Sequence, residues 1–217
     1  MTADIHRGQP VLNYGADIQD ANRFVILLHG RGADAASLLP LAEAMDVGTT
    51  RFYLPQAALN RWYPQTAFGP LAPNEPDLSS ALGIIGSLVE QAHLKGFVNQ
   101  QIIFGGFSQG ACLAAEYVAR NARKYAGLFV FSGALIGPED MPRNYSGSLD
   151  SMPVFIGCSD VDPWVPHDLV TGTAAVFQDM GGDVDFRTYP GMPHTVNQDE
   201  INRARILMSN SKNVKTM

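Results

Sequence analysis

Four short runs, FVILL, IIFGGF, GLFVF and PVFIG, are almost purely apolar, and helix-like patterns lie among and after them. A strand with one wet face alternates apolar and polar residues. A strand covered on both faces has no reason to, and such strands belong to parallel sheets sandwiched between helices. Six strands follow from these runs and their weaker counterparts: Phe24–His29, Arg51–Leu54, Gln101–Phe107, Ala126–Ser132, Pro153–Gly157 and Val184–Tyr189. Helical stretches are predicted between and after them at Ser37–Met45, Leu78–His93, Gln109–Arg123, Asp168–Met180 and Gln198–Ser209. Pro40 is compatible with the first of these, because the first turn of a helix needs no intrahelical N–H. Regular strand–helix alternation predicts an α/β three-layer sandwich, with a mostly parallel sheet and helices on both faces.

Two segments fit this pattern less well. VLNYG near the N-terminus is expected to form an antiparallel hairpin with the segment near Phe24. Residues 55 to 76 carry five prolines together with Trp62, Tyr63 and Phe68, which predicts a long, ordered, irregular loop of functional type. With 217 residues, no internal repeat and no linker, the chain is expected to form one domain, 1–217.

The 15 Lys and Arg are outnumbered by 21 Asp and Glu, a net charge of −6 that offers no basic excess for a phosphate backbone. Nucleic acid is therefore not an expected partner. MTADIHRGQP lacks the apolar stretch of a signal peptide, and no apolar run approaches the ~20 residues of a membrane helix. Stable membrane insertion is not expected. Cys112 and Cys158 are too few for a disulfide framework or metal cluster and read as buried apolar filler. These features imply a cytoplasmic location.

The chemistry starts at Gly105-Gly106-Phe107-Ser108-Gln109-Gly110, between the strand IIFGGF and the helix QGACLAAEYVAR. Gly106-Phe107-Ser108-Gln109-Gly110 is the G-x-S-x-G pattern of a nucleophile elbow. With 12 serines and 21 glycines, chance supplies about 0.1 such matches. The pattern therefore counts mainly because a strand precedes it and a helix follows. So sharp a turn strains the serine backbone and leaves no room for side chains at 106 and 110. The serine oxygen is lifted to the positive end of the helix.

A serine needs a base, and the base an orienting acid. Behind a nucleophile elbow the chain order is Ser, acid, His. His6, His29 and His93 come too early. Between His167 and His194, His167 is expected at a helix start, facing solvent or capping, whereas His194 sits in the loop after the last strand and fits the base. Asp160 and Asp162 both follow PVFIG, at the strand end where open α/β sheets place their sites. Asp162, in the loop, is favoured as the acid, and Asp160 is expected to satisfy only nearby backbone donors. Main-chain N–H groups of Gln109, after the nucleophile, and of Arg31, between Gly30 and Gly32, are the expected oxyanion donors. His29 is expected to shape that loop.

LLHGRGADAASLLPLAEAM, GGFSQGACLA, DPWVP and YPGMPH resemble, in order and spacing, the motifs of the phospholipase/carboxylesterase family, which includes acyl-protein thioesterases and small bacterial carboxylesterases. The resemblance runs from about Phe24 to the last helix. It implies an α/β-hydrolase fold with little or no lid and hydrolysis of carboxylic esters or thioesters without metal or cofactor. Its catalytic residues fall on Ser108, Asp162 and His194, and its oxyanion donors on Arg31 and Gln109. Many members carry leucine at the position of Arg31, so a charged side chain at the mouth puts a preference for long fatty-acyl chains in question. A small-molecule ester or thioester is the expected partner, lysophospholipids and acylated proteins being alternatives, and a homodimer stays open. A non-catalytic ligand-binding module on the same scaffold is the alternative of another class. Trp62, Tyr63, Phe68, Trp164 and Met192 are candidates for the wall of an acyl or aryl pocket, and packing alone explains them equally well.

Overall fold

The computed structural model describes residues 4–210. Seven strands, β1 (Val11–Gly15), β2 (Arg23–Leu28), β3 (Thr50–Pro55), β4 (Ile102–Phe107), β5 (Gly127–Phe131), β6 (Pro153–Ser159) and β7 (Asp183–Tyr189), form one sheet in the order β1-β3-β2-β4-β5-β6-β7. All neighbours are parallel except β1 and β3. Five α-helices accompany them: α1 (Leu39–Met45), α2 (Asp77–Leu94), α3 (Gln109–Arg120), α4 (His167–Asp179) and α5 (Gln198–Asn210). This is the α/β three-layer sandwich expected from the apolar runs, and it agrees with the α/β-hydrolase fold that the resemblance implies.

The uninterrupted apolar runs have a direct physical reason. Phe24, Ile26 and Leu28 of β2 join the core under α2, α3 and α4, with Leu78, Ile85, Leu113 and Phe177. Val25 and Leu27 point the other way, into a second core with Met45 of α1 and Ala204 and Leu207 of α5. Every residue of β2 is buried. Each such apolar side chain contributes about 1.5–3 kcal/mol by leaving water, so the five positions from Phe24 to Leu28 are apolar on both faces.

One expectation is corrected. VLNYG does not pair with the segment near Phe24. It becomes the edge strand β1 and pairs antiparallel with β3, from Val11 opposite Pro55 to Gly15 opposite Arg51. Both edges of β2 are taken, by β3 and β4, so no edge of β2 remains for a hairpin partner.

Residues 56–76 form an ordered loop with short 3-10 turns at Ala58–Asn60 and Ala72–Asn74. Its order comes from buried polar staples. The Asn74 side chain accepts the Gln65 N–H at 2.7 Å and donates to the Thr66 carbonyl at 2.9 Å. His6 accepts the Ala58 N–H on Nδ1 at 3.0 Å, which leaves Nε2 to donate to the Trp62 carbonyl at 2.9 Å. Among the described residues, no helix is long and apolar enough to cross a membrane.

Candidate active site

Because the strands run parallel, the loops after β2, β4, β6 and β7 emerge at one edge of the sheet. Ser108 follows β4 with φ 55° and ψ −121°, a strained backbone for a non-glycine residue. Its N–H donates to the Phe131 carbonyl at 2.9 Å, and its own carbonyl accepts the Cys112 N–H at 3.0 Å, opening α3. The flanking glycines are dictated by close approach. A Cβ on Gly106 would stand 2.5 Å from the Gly110 carbonyl carbon, and one on Gly110 only 2.2 Å from the Leu28 oxygen.

Nδ1 of His194 meets Oδ2 of Asp162 at 2.6 Å, with the Asp162 side chain fully buried. The other carboxylate oxygen, Oδ1, accepts the N–H groups of Trp164 at 2.9 Å and Val165 at 3.0 Å, so the loop's own backbone fixes the carboxylate. The His194 ring lies against Phe107, the residue before the elbow serine, with centroids 4.7 Å apart. Ser108 and His194 line one cavity of about 570 Å³, together with Arg31, Gln109, Tyr63, Phe68, Cys112 and Trp164.

Gln109 is the first residue of α3, so its N–H has no intrahelical partner. Arg31 lies in the loop after β2. His29 shapes that loop as expected: Nδ1 donates to the Gly30 carbonyl at 2.8 Å, and Nε2 accepts the Ala57 N–H at 3.1 Å. Burial lowers its pKa, in keeping with a neutral ring.

Not every candidate reaches the cavity. Tyr63 and Phe68 line it, as does Trp164, whose side chain is largely exposed at the rim. Trp62 is fully buried behind the wall, its Nε1 donating to the His29 carbonyl at 2.8 Å, and is packing. Met192 is absent from the lining, and its sulfur accepts from the Asn197 side chain at 3.0 Å. His167 begins α4 and contacts Thr188 Oγ1 at 2.8 Å. Cys112 and Cys158 are buried free thiols, pushed up by burial to about 11 and about 12. Cys112 also borders the cavity.

Two contributions were missed in the sequence. The Gln109 side chain accepts the Trp62 N–H at 2.9 Å and donates to the Tyr63 carbonyl at 2.8 Å, clasping the aromatic loop to the elbow. Asp160 serves no merely local donor: it accepts the Gly191 N–H at 2.7 Å and so ties down the loop that carries His194.

The phospholipase/carboxylesterase family model matches residues 15–210. The chain belongs to this family. Among solved structures, a phospholipase/carboxylesterase from Dyadobacter fermentans is 40% identical with a TM-score of 0.89, covering 93% of this chain and 97% of its own. Acyl-protein thioesterase 1 of Saccharomyces cerevisiae is 28% identical over 211 residues, 88% of this chain and 93% of the yeast protein. A Bacillus cereus carboxylesterase, 20% identical with a TM-score of 0.73 over 94% of this chain and 95% of its own, shares the fold. As a member of the phospholipase/carboxylesterase family, the protein is an ester-bond hydrolase.

Proposed function

We propose that the protein cleaves carboxylic esters or thioesters through an acyl-enzyme on Ser108, with His194 as base and Asp162 as its orienting acid. The observation that carries this reading is that a strained serine at a helix N-terminus and an aspartate-paired histidine open onto the same cavity.

Asp162 accepts the Nδ1 proton of His194, which leaves Nε2 with a lone pair for the serine proton. As the Ser108 oxygen bonds to the acyl carbon, His194 takes that proton, and negative charge gathers on the former carbonyl oxygen. N–H groups of Gln109 and Arg31 stabilise it without reorganising. Collapse breaks the bond to the alcohol or thiol, which leaves with the proton from His194. Water then adds to the acyl-enzyme by the same route, frees the acid and restores Ser108.

Tyr63, Phe68, Val165 and Trp164 in the lining offer apolar contact to an acyl or aryl group. All groups in this scheme come from one chain, so the reading needs no homodimer, and no observation supports one. The two unpaired, buried cysteines suit a reducing compartment, which supports a cytoplasmic location.

The test is a series of p-nitrophenyl esters of increasing acyl length beside an acyl thioester. Turnover of short and medium esters by the wild type, lowered about 10⁴-fold or more in Ser108→Ala, is expected from triads generally. Activity retained by Ser108→Ala would remove the reading.

A further inference from the structure

Among the residues lining the cavity, Arg31 is the only one with a permanent charge, and no carboxylate offsets it. Its side chain is exposed but pinned. One terminal nitrogen donates to the Pro64 carbonyl at 2.7 Å, the other donates to the Gln65 carbonyl, and the guanidinium stands 6.0 Å from the Tyr63 ring centroid. Amide carbonyls orient a guanidinium without cancelling its charge, and two of its five N–H donors leave three for a ligand.

The acids nearby are engaged elsewhere: Asp34, on the same loop, accepts the Ser37 N–H at 2.8 Å. Asp162 holds His194 and two backbone N–H groups. Glu116, behind Tyr63 and Cys112, holds Arg120, the Ile136 N–H and the Tyr145 hydroxyl. Among the described residues, neither Arg31 nor Arg61 has a carboxylate within 4 Å, although acids outnumber bases in the chain. Burial lowers the Arg31 pKa, Tyr63 opposes that shift and Arg61 adds to it. The mouth is thus an electropositive spot on an acidic protein, with fixed geometry and unspent donors.

We infer that Arg31 is a specificity-determining residue that recognises an anionic group on the substrate, so the preferred substrates are esters or thioesters bearing a carboxylate a few bonds from the scissile carbonyl. This rests on Ser108 as the nucleophile. Its charge sits on the loop that also supplies a proposed oxyanion donor, so an anion held there brings the reacting carbonyl to the elbow. Apolar acyl chains gain nothing from it.

The experiment compares kcat/KM for p-nitrophenyl hemisuccinate against p-nitrophenyl valerate, and for 4-carboxyphenyl acetate against phenyl acetate. The first pair puts the carboxylate on the acyl side and the second on the leaving side. Each enzyme is scored by its anionic-to-neutral ratio, which cancels any general damage to the oxyanion loop. In at least one pair this ratio should be about tenfold higher in wild type than in Arg31→Gln, mostly through KM, with partial recovery in Arg31→Lys. Raised salt should shrink the wild-type ratio. Equal ratios in wild type and Arg31→Gln for both pairs would overturn the inference. Binding of monomethyl glutarate to Ser108→Ala, lost when Arg31→Gln is added, reads the anion site without turnover. Equal binding by both proteins would overturn the inference whatever the fate of Ser108, whereas failure of the wild type on every ester, with this binding difference intact, would count against the nucleophile alone.

Discussion

Asp162 divides its two carboxylate oxygens between a side chain and a backbone: Oδ2 takes His194 Nδ1 at 2.6 Å, and Oδ1 takes the N–H groups of Trp164 and Val165. The two roles separate under mutation. In Asp162→Asn, the amide oxygen can still accept both N–H groups, so the loop should hold. The amide nitrogen would then face Nδ1 as a donor and impose the wrong tautomer on His194. Esterase kcat should fall by about 10⁴, as it does when the equivalent acid of a serine-protease triad is amidated. Near-UV circular dichroism should be unchanged. A drop of less than tenfold would show that the carboxylate does not orient the base.

Gln109 ties α3 to the aromatic loop through both ends of its amide. In Gln109→Ala, the Trp62 N–H and the Tyr63 carbonyl are left buried without partners, and each costs about 1–3 kcal/mol. Chemical denaturation should show a loss of about 2–4 kcal/mol. KM for aryl esters should rise as well, because Tyr63 is a wall of the cavity. The main-chain N–H at 109 survives the change, so kcat should fall far less than in Asp162→Asn.

Glu200 gives the fold a pH dependence of its own. It is buried against β6, one oxygen accepting the Asn197 N–H at 2.8 Å and the other without a hydrogen-bond partner. Burial pushes its carboxyl up from 4.5 to about 7, opposed by the Asn197 N–H. Between those values, the folded state keeps a proton that the unfolded chain has released. Its contribution is complete below about pH 4.5 and lost as pH rises through about 7, to the extent of about 3 kcal/mol. Glu200→Gln removes this slope and keeps an acceptor for Asn197. Denaturant titrations at pH 5 and pH 8 should show the variant gaining about 2–3 kcal/mol on wild type across the interval. Parallel pH dependence in the two proteins would contradict a raised carboxyl.

Much of this was legible in the sequence, and the boundary has a physical logic. The strands of the sheet core were readable because burial on both faces leaves uninterrupted apolar runs. The elbow was readable because steric crowding at Gly106 and Gly110 permits no other residue. The contact between Asp162 and His194 was foreseeable from chain order and from the loops at strand ends. Partner choice was not readable: nothing in VLNYG distinguishes β3 from β2 as its neighbour, since that depends on which edges the rest of the sheet leaves free. The jobs of Asp160, Gln109 and Trp62 were hidden for a related reason. Each contacts a segment about 30 or more positions away, and its role exists only once both segments are in place.

The proposed nucleophile is the hydroxyl of Ser108. It is tested most directly by reacting the intact protein with a fluorophosphonate and mapping the adduct by peptide mass spectrometry. A single adduct on the peptide carrying Ser108, forming in step with loss of esterase activity and absent in Ser108→Ala, is the predicted result. Labelling at another residue, or full loss of activity with Ser108 unmodified, would contradict the account.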